Sequence, residues 1–244
     1  MNMSAYEGFK TADELTPWEK VYWYLRILID TDRYGALGRK LKKISLLQNN
    51  LLAGYARVAV NEEDKEAKTK ILSSILKQTL EEGQKADSGG LKTMTNLQDR
   101  LNRFLVEPID YLVFALTIKE LLLPTNEAIE TVPSQEITDF AHIYAKAVLE
   151  TKKEQGLATL IREWDSLTED LALNREREII NELFGKIKQT FKGNLGEHKI
   201  DVSDPEMDSV LTAVCQEFER RVGQKRKQRA GKDLEGATEF IFGS

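Results

Sequence analysis

Tyr111 to Leu123 reads YLVFALTIKELLL, a run that is apolar on nearly every side of a helix. A helix that is apolar all round has no face to give to water, so the run predicts the buried central helix of a helical domain. Its most apolar part, Tyr111 to Ile118, is far shorter than the ~20 residues needed to span a bilayer. On its N-terminal side, Leu91, Met94, Leu97, Leu101, Phe104 and Leu105 mark another helix, stopped or kinked at Pro108. On its C-terminal side, Pro124 to Pro133 reads as a loop. Ser134 and Glu136 then open a helix through Ile137, Phe140, Tyr144 and Val148.

The same periodicity extends in both directions. Thr16-Pro17-Trp18-Glu19 combines a hydroxyl cap, a proline at the first helical position and a glutamate three residues after the cap. Val21, Tyr24, Leu25 and Leu28 follow on one face. Leu37, Leu41, Ile44, Leu47, Leu51 and Leu52 form a second pattern. Asn61, Glu62, Glu63 and Asp64 place acids at the start of a third, continued by Ile71, Ile75, Leu76 and Leu80. Gly83 to Gly90 reads as a break. Later come amphipathic segments at Leu157 to Leu173 and Glu176 to Phe191, then a second break at Lys192 to Asp204 holding Gly193, Gly196 and His198. Met207, Val210, Leu211, Val214 and Phe218 suggest a short helix, and Leu234, Ala237 and Ile241 the stripe of a last one. No alternating strand, internal repeat or sustained heptad is present. The expected class is all-α: a multi-helix, bundle-like domain over residues 1–200, then a basic segment and a terminal helix over 201–244.

Composition sets the outer bounds. With 244 residues, 41% hydrophobic and 31% charged, the chain can bury a sizeable core. The single cysteine, Cys215, rules out an intrachain disulfide framework and argues against a cysteine-based zinc site. Glu7, Asp13 and Glu14 stand where a signal peptide needs an apolar stretch, so a cytoplasmic protein with no membrane partner is expected. His142 and His198 have no ligand-spaced neighbour, and His142 reads as a structural histidine. Neither a phosphate-binding glycine loop nor a nucleophile elbow occurs. Trp18, Tyr22, Trp23 and Tyr24 cluster near Lys20 and Arg26; helical spacing favours a core over a base-stacking platform.

One local feature departs from the overall charge of −5. Arg220, Arg221, Lys225, Arg226, Lys227, Arg229 and Lys232 crowd into a short basic run just before the last expected helix. Such runs attract polyanions by releasing counterions from phosphates, although a solvated linker has the same composition. Ala230 and Gly231 would let the backbone approach a phosphate closely, and a helix starting near Lys232 would aim free amides at it. Arg226 and Arg229 could add bidentate contacts.

The spacing R-x-x-R-A-G-x-x-x-E, formed by Arg226, Arg229-Ala230-Gly231 and Glu235, resembles a segment of type II restriction endonucleases. The likeness is to those of the PD-(D/E)XK fold related to the EcoRII C-terminal domain, and it spans about Arg220 to Phe242. The resemblance implies an N-terminal portion of a site-specific nuclease that cuts double-stranded DNA with Mg2+. It gives Glu235 a catalytic, metal-supporting role, and gives Arg220, Arg221, Lys225, Arg226, Lys227, Arg229, Gly231 and Lys232 to DNA. It also implies a homo-oligomer, since type II enzymes cut both strands as symmetric dimers. The family's aspartate and acid-x-lysine strands have no counterpart here; Asp204-Pro205-Glu206 lies in an expected loop. The last 44 residues would then be the start of a truncated nuclease domain, inactive alone, with Phe240, Ile241 and Phe242 as core residues lacking their sheet. Glu235 can equally be an acid that complements a helix N-terminus, and Glu239 a surface residue. The rival class is a non-enzymatic helical interaction or scaffold protein whose basic tail binds nucleic acid, an acidic membrane or a protein.

Overall fold

The computed structural model describes residues 11, 13–32, 41–85, 91–152 and 154–200. It also describes positions 203, 205, 208, 211, 212, 222, 223, 226, 227, 235, 236, 238–240 and 242. Among these residues there is no strand, and the fold is all-α. The helices are α1 (Pro17–Asp32), α2 (Leu41–Asn61), α3 (Lys65–Lys85), α4 (Leu91–Asn102), α5 (Pro108–Thr117), α6 (Leu123–Thr131), α7 (Ser134–Glu150) and α8 (Leu157–Glu197). A five-residue π-helical segment, Ile118–Leu122, joins α5 to α6. No described helix is long and apolar enough to cross a membrane.

The chain divides into two compact units, each assembled from two stretches: Met1–Pro124 with Ile187–Cys215, and Thr125–Lys186 with Gln216–Ser244. The expected division at residue 200 is drawn differently, because α8 gives its first part to the second unit and its last part to the first.

In the first unit α5 is the centre, packed against α1, α2 and α3. Every residue from Asp110 to Thr117 is buried, as the all-apolar pattern requires. Pro108 opens this helix at its first turn, where the missing N–H costs nothing. Asp110 closes the cap: its Oδ2 accepts the amides of Val106 (3.0 Å) and Glu107 (2.7 Å). Its Oδ1 accepts Lys20 Nζ from α1 at 2.7 Å, and both side chains are almost wholly buried. The capping pattern at Thr16 is realised, with Glu19 N donating to Thr16 Oγ1 (3.2 Å) and Thr16 N to Glu19 Oε2 (2.8 Å). Trp23 stacks on Phe104 with ring centroids 5.6 Å apart, and Tyr24 meets Phe114 edge-on at 5.2 Å. Tyr24 and Phe114 are core, Trp23 and Phe104 are half-buried at its edge, and Tyr22 of the same expected cluster is exposed. Gly54 lets α2 close on α3, since a Cβ there would collide with Ile75 Cδ1.

Four expected boundaries move. Asn61 ends α2, and Asp64 alone caps α3, accepting the amides of Glu66 (3.1 Å) and Ala67 (3.2 Å). Gly83 lies inside α3; residues 86–90 of that expected break are outside the described residues. The expected loop after Pro124 is helix as far as Thr131. Proline lacks an N–H and its ring crowds the carbonyl four residues back. The wider π turn just before it, with Leu123 N bonded to Ile118 O, lets the helix continue past the proline. The segments expected at 157–173 and 176–191 are one helix, which carries Gly193 and Gly196 and ends only at Glu197. Lys199, at φ 58°, turns the chain out of it, with Ile200 N bonded to Leu195 O at 3.0 Å.

Candidate nucleic-acid interface

In the second unit, described residues of the C-terminal segment pack against α7 and α8. Along α8, Leu160, Trp164, Thr168, Ala172, Glu176 and Ile180 recur every four residues, and all are buried. This row is the helix's inward ridge. Ala145 and Leu149 of α7 pack with Trp164, and Leu167 and Phe240 close over the cluster. Trp164 and Phe240 stack with centroids 5.0 Å apart and planes 25° from parallel. Four residues before Phe240, a Cβ on Gly236 would strike the His142 imidazole. His142 itself lies 5.4 Å from Trp164, ring centre to ring centre. Glycine at 236 is therefore a packing requirement, and His142 is a wall of the aromatic cluster.

One charged residue interrupts the buried ridge of α8. Glu176 is fully buried, and its Oε1 accepts both Arg226 Nε (2.6 Å) and Arg226 Nη2 (2.5 Å). The Arg226 side chain keeps 30% of its surface in solvent, against 0% for Glu176. Val222, four residues before Arg226 in the sequence, is also buried. Lys227, one step further round, is exposed.

Of the nine residues singled out for nucleic acid or metal, three fall on described positions. Arg226 pairs with Glu176, Lys227 faces solvent, and Glu235, like Glu239, is exposed. Arg220, Arg221, Lys225, Arg229, Gly231 and Lys232 lie outside the described residues, as do Leu234, Ala237 and Ile241. Phe240 has a core partner in Trp164 and so does not wait for a sheet; Phe242 is exposed. No group of three or more His, Cys, Asp or Glu side chains placed to hold a metal ion occurs among the described residues.

Sequence reasoning missed Glu176. The signal is present in the four-residue ridge from Leu160 to Ile180, where a carboxylate occupies an otherwise inward position. A charge buried in that way needs a cationic partner. No protein-family model, curated protein or solved structure matches this chain.

Proposed function

We propose that this chain is a non-enzymatic helical interaction protein that presents its C-terminal basic run to nucleic acid. The observation that carries the reading is the pairing of Arg226 with buried Glu176. It fastens Arg226 of the basic run to α8 and leaves the adjacent Lys227 facing water. A basic segment held on a rigid body loses less conformational freedom on meeting a phosphate backbone than a free tail does. Lys225, Arg229 and Lys232 are near in sequence and extend the positive character of the segment. Interactions of this kind bind the backbone and do not read bases.

The test is anisotropy of a labelled DNA duplex titrated with the full chain over a range of salt. Replacing Lys225, Lys227 and Arg229 together with alanine should weaken binding and flatten its salt dependence by about 0.9 for each phosphate no longer neutralised. An unchanged slope would remove the basic run from the account. The restriction-endonuclease reading shares this DNA binding and adds catalysis, supported by the spacing from Arg226 to Glu235 alone. Mg2+-dependent cleavage of duplex DNA by the purified chain would establish that addition.

A further inference from the structure

The outward side of α7 carries what solvated helix faces usually avoid. Phe140, Ile143 and Tyr144 are 45%, 71% and 53% exposed, and exposed Ala147 continues the row. Spacings of three, four and seven place them on one side of the helix. The opposite side, Ile137, Thr138, Ala141, Ala145 and Leu149, is the one the unit buries. Rings of about 150–250 Å2 each, roughly half exposed, and a largely exposed isoleucine make an apolar patch of roughly 300 Å2. Patches of that size on a monomer commonly have a partner.

The charges beside the row say which partner. Glu136, Asp139 and Glu150 are exposed on the same side of α7, against one exposed base, Lys146. A second copy of α7 would match the apolar row. Laid antiparallel, however, it would set Glu136 of each copy against Glu150 of the other, and laid parallel it would oppose acid to acid throughout. Like charges placed so are repulsive. A basic helix meets both demands, with apolar residues entering the row and lysines or arginines reaching the three carboxylates. We infer that the outer face of α7 is a docking site for a basic amphipathic helix of a protein partner, distinct from the nucleic-acid contact proposed for the C-terminal run.

The probe is a synthetic helical peptide of leucine and lysine with leucines at i, i+3, i+4 and i+7. A second peptide keeps the leucines and replaces every lysine with glutamate. Calorimetric titration into the full chain should show the lysine peptide binding at least tenfold more tightly than the glutamate one. Ile143→Asp separates docking from bulk attraction. It adds a negative charge, so a purely electrostatic association would tighten, whereas docking into the row should weaken at least tenfold. Ile143 is exposed, so the fold should survive, as far-UV circular dichroism would verify. Asp139→Lys should reduce the preference for the lysine peptide without touching the apolar row. Lysine-peptide binding that is unchanged or stronger in Ile143→Asp would overturn the inference. So would a wild-type chain that sediments as a dimer and becomes monomeric in that variant.

Discussion

The buried pair between Lys20 and Asp110 makes a strong demand on stability. Asp110 accepts Lys20 Nζ and two backbone amides, those of Val106 and Glu107. Asp110→Asn keeps a carbonyl oxygen for the amides but removes the charge, leaving the ammonium of Lys20 buried without its counter-ion. Removing one partner of a buried pair costs about 3–5 kcal/mol. Asp110→Ala also strips the cap from α5, adding about 1 kcal/mol. For a chain of this length each kcal/mol lowers the melting temperature by roughly 2–4 °C. Asp110→Asn should therefore melt about 10 °C lower, and Asp110→Ala lower still. Lys20→Met should cost less, because Asp110 keeps two amide donors. In Lys20→Met/Asp110→Asn the stranded charge is gone, so the double variant should be more stable than Asp110→Asn alone. Urea unfolding of the four proteins at neutral pH, followed by far-UV circular dichroism, gives the cycle directly. A cost below about 1 kcal/mol for Asp110→Asn, or a double variant weaker than both singles by their sum, would refute the reasoning.

Burial raises the phenols of Tyr24 and Tyr111 above the usual 10.0, with Asp110 adding to both and a hydrogen bond to Ser73 opposing the shift at Tyr111. The folded state then holds these protons where the unfolded state releases them. The associated stability is complete below pH ~10 and is lost as the pH rises above it, so Tyr24→Phe should make alkaline unfolding less steep by titration at fixed urea. Gly185 and Gly193 lie inside α8 with open space where a Cβ would go, so alanine at either should raise stability by about 0.5–1 kcal/mol in thermal melts. Lys199 holds a left-handed conformation at φ 58°, and Lys199→Gly should gain roughly 1 kcal/mol; a loss would mean that its side chain makes an interaction worth more than the strain.

How much of the fold is legible in the sequence depends on how local the cause is. The cap at Thr16 and Glu19 and the all-apolar run around Phe114 are complete within a few residues, and both form as the sequence predicts. Pro108 and Pro124 are harder, because a proline signals a boundary without saying on which side the helix lies. Pro108 begins a helix, whereas Pro124 is carried through by a π turn whose signature is a hydrogen-bond register and no particular residue. Gly193 and Gly196 suggest a break. A glycine costs a helix only about 1 kcal/mol, and Phe191 and Leu195 beside them are fully buried, which outweighs it.

The basic run shows the limit most sharply, because its composition treats every lysine and arginine alike. The folded chain divides two neighbours. Arg226 turns inward to Glu176, fifty residues away in sequence, and Lys227 turns outward. Alanine at the two positions should therefore fail in different assays. Arg226→Ala takes the guanidinium away from a fully buried carboxylate and should cost about 3 kcal/mol, the low end for a buried pair because the guanidinium is partly solvated. That loss should appear in urea unfolding of the full chain. Lys227→Ala should leave unfolding within about 0.5 kcal/mol and lower only the salt-dependent affinity for the duplex. If Arg226→Ala flattened the salt slope without lowering stability, the ion pair would not be the anchor. The basic run would then act as the free tail that its composition alone suggests.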